Sequence, residues 1–297
     1  MNWLCGGLKW GTGRPGLVWY EAGGRAERVS SLAYGAGVAF RVGDGERLCV
    51  GARRGGCPLR ATVPGRSSGG QCPECARLDR ARSVAADTMA DDPRPYAVYL
   101  AWFGPRMVKV GITREERGAA RLLEQGAVAF TWLGRGPLMA ARRTEELVRT
   151  ALGVPDRIPY KEKRAVRHAL PGMEERAGEL EGLHRRAVAL EGWAEALERA
   201  ACEVVDHAGV FGLAGLRPMS GVVAELVSGG CVAGRLVAAA GPDLHLETET
   251  EEEGRGGVVV LDTRLMSGWE LRRADAAVGV SVPVREVGPE VVQGGLF

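Results

Sequence analysis

The chain has 297 residues, 45% of them hydrophobic, and its 39 Lys and Arg nearly balance 37 Asp and Glu, leaving a net charge of +2. That content supports a real core of about two domains, and it excludes a disordered chain or a polybasic nucleic-acid coat. No apolar stretch approaches a membrane span, and residues 1–10 lack a charged-then-apolar secretory order, so a cytoplasmic protein without membrane contact is expected.

Residues 1–85 are rich in Gly, Val and aromatics. Short apolar runs such as Leu17-Val18-Trp19-Tyr20 and Gly37-Val38-Ala39-Phe40-Arg41-Val42 are separated by Gly43-Asp44-Gly45 and Gly55-Gly56, which predicts a small β-rich unit. Cys49, Cys57, Cys72 and Cys75 lie within it, spaced C-x7-C-x14-C-x2-C. Cys72-Pro73-Glu74-Cys75 lets two thiolates turn toward one ion, and four thiolates make a closed tetrahedral zinc site. In a reducing compartment this is expected to be structural zinc in a ribbon-like unit; buried free cysteines and a redox CxxC are the alternatives.

A polar connector over residues 83–95, with Asp91-Asp92-Pro93 as a breaker, leads into a hairpin. Its strands are Tyr96-Ala97-Val98-Tyr99-Leu100-Ala101-Trp102 and Met107-Val108-Lys109-Val110-Gly111-Ile112-Thr113, joined by Phe103-Gly104-Pro105-Arg106. Arg121 falls on a following helix. Gly136-Pro137 then precedes a helix over residues 138–152 that carries Glu145, and Gly153 and Pro155 end it. Between residues 135 and 167 nine Lys or Arg face four Asp or Glu. Such an excess builds either a phosphate-attracting face or an ordinary solvated surface.

This order of motifs resembles the GIY-YIG endonuclease superfamily. Ala97-Val98-Tyr99 stands for its first motif, and Lys109-Val110-Gly111 for its second in the "KIG" form. With the cysteine cluster, the chain also resembles an uncharacterised family known as a domain of unknown function. The superfamily resemblance implies a small α/β nuclease domain over residues 86–172. In it Tyr99 and Lys109 act at the scissile bond, Arg121 steadies the phosphate, with Arg114 and Arg117 as rivals, and Glu145 binds magnesium, with Glu146 as the alternative. Gly111 permits close backbone approach at the site. Arg114, Arg117, Arg142, Arg143, Lys161, Lys163 and Arg164 are the candidate nucleic-acid contacts, and DNA is favoured over RNA. Ala97 departs from the family's Gly, and Lys109 from its second Tyr.

Leu180, Leu183, Ala187, Leu190, Ala194, Leu197 and Ala201 recur at spacings of three and four, predicting one long amphipathic helix over residues 173–205. Apolar runs at 232–246 and 258–261 flank an acidic loop at 247–253, and further strands are expected at 265–272 and 278–284. Residues 206–290 are therefore expected to form an antiparallel β unit, a barrel or sandwich that the N-terminal strands complete. The final residues 291–297 contain Gln293, Leu296 and Phe297, resembling the short motif that docks bacterial repair proteins on the sliding clamp. The whole is expected to be α+β: a zinc-binding unit, a GIY-YIG-like domain, a long helix, a C-terminal β unit and a tail.

Overall fold

The computed structural model describes residues 3–11, 13–21, 26–81, 92–248 and 257–288, and the tail residues Gln293, Leu296 and Phe297 lie outside them. The fold is mixed α+β. Strands β1 (Trp3–Trp10), β2 (Pro15–Glu21) and β3 (Glu27–Ser31) form an antiparallel sheet in that order. Strand β4 (Gly37–Val42) leaves this unit and joins the C-terminal sheet. The cysteine-bearing segment follows, with isolated bridges Leu48↔Thr62 and Gly51↔Gly56 and helix α1 (Pro73–Arg80). Among its described residues there is no ribbon of paired strands.

The central unit runs β5 (Tyr96–Trp102), β6 (Val108–Arg114), α2 (Ala120–Gln125), β7 (Ala129–Gly136) and α3 (Leu138–Leu152). Strand β5 sits between β6 and β7, antiparallel to both, and every one of its residues is buried. Its side chains alternate between two cores. Val98, Leu100 and Trp102 share one with Leu138, Ala141, Val148 and Leu180. Tyr99, Ala101 and Phe103 share the other with Leu122, Phe130 and Ile158. Both faces are covered, which explains why the strand reads as a continuous apolar run. Helix α3 ends where the sequence predicts, with Gly153 in the left-handed conformation at φ 66°.

Helix α4 (Tyr160–Val166) and helix α5 (Met173–Val188) come next. The apolar spacing predicts one helix through residue 205, but α5 stops at Val188. Gly192 takes a positive φ of 85°, and the Trp193 indole donates to the Leu197 carbonyl at 3.0 Å. Leu197 is still buried, but from a non-helical segment. Its neighbours β8 (Glu198–Arg199) and β9 (Val205–Asp206) pair with β7. The free edge of β7 competes for this chain, and a Leu/Ala stripe serves either outcome.

The largest sheet has the order β14-β4-β11-β12-β13-β10-β15. Its members are β10 (Met219–Val223), β11 (Cys231–Ala240), β12 (Asp243–Thr248), β13 (Gly257–Asp262), β14 (Leu271–Arg273) and β15 (Val284–Glu286), with β4 from the N-terminal side. Strand β10 lies parallel to β13 in an otherwise antiparallel sheet. Of the predicted strands at 265–272 and 278–284 only the ends pair, as β14 and β15 at the two sheet edges, and 3-10 turns form at Thr263–Met266 and Ala276–Val278. In each, an aspartate side chain bonds a backbone N–H two residues on, Asp262 to Arg264 and Asp275 to Ala277, both at 3.0 Å. Such local bonds divert a chain from strand pairing. Of the acidic loop, residues 249–253 lie outside the described residues.

The central unit meets this sheet at two glycines. A Cβ on Gly126, at the end of α2, would stand 3.0 Å from the Gly241 nitrogen, and a Cβ on Gly241 would stand 3.0 Å from the Gly126 nitrogen. The Trp10 indole of β1 donates to the Gly241 carbonyl at 2.8 Å, so all three units converge there. Among the described residues no helix is long and apolar enough to cross a membrane.

Candidate functional site

Cross-strand register puts Tyr99 of β5 opposite Gly111 of β6 and Trp132 of β7, while Lys109 stands opposite Ala101. Cross-strand partners share a sheet face. The Tyr99 ring lies across Gly111, where an added Cβ would be 2.4 Å from the phenol oxygen. Glycine here makes room for the ring. Strand β7 carries a register irregularity beside Tyr99, and Trp132 meets the Tyr99 ring edge-on at 6.1 Å. Tyr99 is only 1% exposed, and its phenol oxygen accepts a 2.8 Å hydrogen bond from the Gln125 side chain.

Arg121 and Gln125 are one helical turn apart on α2 and share its face. Glu145 comes from α3, which packs along β6 and β5. The four predicted groups act on one another electrically. Burial raises the Tyr99 phenol; Gln125 and Arg121 oppose the shift, and Glu145 adds to it. Burial, with Arg121 adding, brings the Lys109 ammonium down to about 8, although Glu145 and Asp156 favour its charge. Burial likewise raises Glu145 above the usual carboxylate range, against the pull of Lys109. A phenol, an ammonium, a guanidinium and a carboxylate from four elements therefore share one partly dehydrated place.

Two further residues border the site, Gln125 and Asp156, and each has a local sequence signal. Gln125 stands four positions after Arg121. Asp156 follows Pro155, whose carbonyl accepts from the Val110 N–H at 3.0 Å and so ties this segment to β6. The Lys109 ammonium donates to the Asp156 main-chain carbonyl at 3.3 Å. Between the alternative acids, Glu146 faces solvent and binds Arg149 at 2.5 Å and Thr150 at 3.1 Å, while Glu145 faces Lys109.

The basic candidates divide. Arg143 and Lys161 are exposed, and Arg142 is half-buried. Arg114 pairs with Asp92 at 3.7 Å and Arg117 with Glu124 at 2.6 Å, so both carry acidic partners. Lys163 and Arg164 do not present themselves to a nucleic acid at the central face. Lys163 is buried, with its ammonium 3.7 Å from the Phe103 ring centroid and 3.1 Å from the Gln125 main-chain carbonyl. Arg164 binds Asp243 at 2.6 Å and Asp262 at 2.8 Å, and Arg167 beside it binds Asp243 at 2.6 Å. Helix α4 uses these charges to dock on the C-terminal sheet. A basic run in sequence does not tell which of its members find acids from residues eighty positions away.

The four cysteines do converge. Their sulfur atoms all lie within 4.8 Å of one another, and Cys57 and Cys72 are 3.9 Å apart. Zinc–sulfur bonds of about 2.3 Å in a tetrahedron would set sulfurs about 3.8 Å apart. The Cys49 sulfur accepts from the Gly51 N–H at 3.3 Å and the Cys72 N–H at 3.1 Å. Backbone N–H groups also bring the Cys57 thiol down to about 7, whereas burial pushes Cys75 up to about 12. Four thiols at metal spacing, with N–H donors aimed at sulfur, fit a metal site better than a redox pair or scattered buried cysteines.

A family described as a protein of unknown function, DUF2797, matches residues 45–271. That span holds all four cysteines, the central unit and most of the C-terminal sheet. Neither the curated proteins nor the solved structures include a significant match.

Proposed function

The chain belongs to the DUF2797 family, and from that premise we propose that it is a zinc-stabilised protein that acts on nucleic acid through Tyr99, Lys109, Arg121 and Glu145. In this reading the central unit is a GIY-YIG-type nuclease domain and the cysteine segment is its zinc-held companion. What carries the reading is the convergence of those four side chains from β5, β6, α2 and α3 at one face of a three-stranded core.

Phosphodiester cleavage needs charge neutralised on the phosphoryl oxygens and a water oriented for attack. Arg121 steadies the phosphate. Tyr99, kept protonated by burial, receives a hydrogen bond from Gln125 and so keeps its own proton to direct at a water or a phosphate oxygen. Lys109, brought to about 8, is a cation for most of the time at neutral pH and can also accept a proton from the attacking water. Glu145 is the carboxylate for a magnesium ion, which is commonly held by one or two carboxylates together with waters and substrate oxygens. Bound there, magnesium supplies further charge neutralisation.

DNA is the favoured substrate class, and the tail with Gln293, Leu296 and Phe297 is the proposed link to the bacterial sliding clamp. The direct test is incubation with labelled branched, single-stranded and duplex DNA, and with RNA, in magnesium or manganese. Cleavage that Glu145→Ala and Arg121→Ala each abolish is expected; cleavage that survives both substitutions sinks this assignment of the site. A second reading is a nucleic-acid-binding module without chemistry. It is favoured by Lys109 in place of the second tyrosine and by the deep burial of Tyr99. Salt-sensitive binding with no cleavage of any substrate would select it.

A further inference from the structure

Arginine collects at a second place, where the cysteine segment meets the C-terminal sheet. A cavity of about 330 Å³ there is lined by Arg66 and Ser68 of the cysteine segment, Arg164 of α4, Asp262 and Arg264 at the end of β13, and Arg285 of β15. Val222 of β10 and Leu265 give it an apolar wall.

The charge around this cavity is not balanced. Arg164, Arg167 and Arg264 share only Asp243 and Asp262, which leaves one positive charge over. Arg66 and Arg285 are exposed, and among the described residues neither makes an ion pair. A further cation lies behind the wall. Arg47 is buried and donates to five carbonyls: Ser267 at 2.8 Å, Pro64 and Ser67 at 2.7 Å, Gly69 at 3.4 Å and Arg264 at 2.9 Å. It holds residues 64–69, and with them Arg66 and Ser68, against the 3-10 turn that carries Arg264. A rigid concave surface with several excess guanidiniums, a hydroxyl and an apolar side is suited to an anion with an organic body. A second hollow of about 430 Å³ shares Ser68 and Arg264 and extends the wall, so a ligand longer than a single anion has room.

We propose that this arginine-lined cavity is a phosphate-ester site that binds either a nucleic-acid backbone or a free nucleotide. It is built from residues outside the Tyr99 cluster and does not require that cluster to be catalytic. Arg66 and Arg285 make the direct contacts, Arg264 completes the cradle, and Arg164 is spent on its aspartates. Because Arg66 and Ser68 lie between Cys57 and Cys72, the order of the cysteine segment sets the shape of the site.

The test is calorimetric titration of the full-length protein in magnesium-free buffer with inorganic pyrophosphate, a mononucleotide and a short single-stranded oligonucleotide. Binding of at least one probe is expected, weakened about tenfold or more in Arg66→Ala/Arg285→Ala. Both residues are exposed and, among the described residues, without acidic partners, so thermal melts of the double variant should match the parent; Arg66→Gln and Arg285→Gln tested singly guard against misfolding. An oligonucleotide that competes with pyrophosphate assigns the site to a nucleic-acid backbone, while binding of the mononucleotide alone assigns it to a free nucleotide. The proposal is overturned if no probe binds, or if the double variant binds as the parent does. Failure here leaves any magnesium-dependent cleavage intact, and failure of the cleavage reading leaves this binding intact.

Discussion

Two groups of charged side chains lie near Lys163, and they are built to opposite ends. In the network of Arg164, Arg167, Asp243 and Asp262, each charge lies within 3.0 Å of an opposite one. Burial works against the charged forms there, but ion pairing outweighs it: Asp243 is held below the usual carboxylate range and Arg164 is driven further up. In the cluster of Tyr99, Lys109, Arg121 and Glu145, burial wins instead. Lys109 falls and Glu145 rises, each toward neutrality. Charged side chains are thus fully paired in one place and left short of close partners in the other. Completeness of pairing separates the two, not composition.

The comparison breaks most visibly at Asp243. Asp243→Ala strands Arg167 as a buried unpaired cation, leaves Arg164 with Asp262 alone, and should cost about 3–5 kcal/mol in urea denaturation. Glu145→Ala should change stability by less than about 1 kcal/mol, since it removes a carboxylate whose charge is already disfavoured by burial. Equal losses in the two variants would erase the distinction.

The cysteine segment offers a third kind of cluster, in which a metal would take the place of counter-charges. Elemental analysis of protein purified without added zinc should find about one zinc per chain, falling close to none in Cys72→Ser. Retention of full zinc by that variant would remove the cysteines from the metal site.

Smaller effects sharpen the Tyr99 side. Gly111→Ala forces a methyl group onto the phenol and should cost about 1–3 kcal/mol. Tyr99→Phe leaves the Gln125 amide without its acceptor and should cost about 1 kcal/mol. Should Gly111→Ala prove neutral, the ring does not occupy that space. The pH dependence has a definite sign. Lys109 titrates at about 8 when folded, below the ordinary lysine value of about 10.4. The unfolded chain therefore holds more protons between those values, and this group makes stability rise as pH rises through that window. Lys109→Met should flatten the rise; a parent and variant with the same profile would place Lys109 in solvent.

The sequence made some of this legible and hid the rest for identifiable reasons. Helix α3 was readable to its last residue, because Gly153 and Pro155 are local signals. The β5–β6 hairpin was readable because its apolar runs flank Gly104-Pro105. The cysteines were readable from spacing alone. The departure of β4 to a distant sheet carries no local mark, since a strand fits any edge of matching register. The early end of α5 was hidden because Leu197 is apolar in either conformation. Lys163 and Arg164 looked like surface cations because their partners, Gln125, Asp243 and Asp262, are remote in the chain. Gln125 was within reach of the helical period but has no charge to draw attention.

The central claim is that Glu145 belongs to a site of phosphodiester chemistry and not to the scaffold. Single-turnover cleavage of one labelled DNA substrate in magnesium, by the parent and by Glu145→Ala proteins with matched thermal melts, tests it most directly. The account predicts a rate at least about a hundredfold lower in the variant with no loss of fold. Equal rates, or a parent that cleaves nothing with either metal, would contradict it.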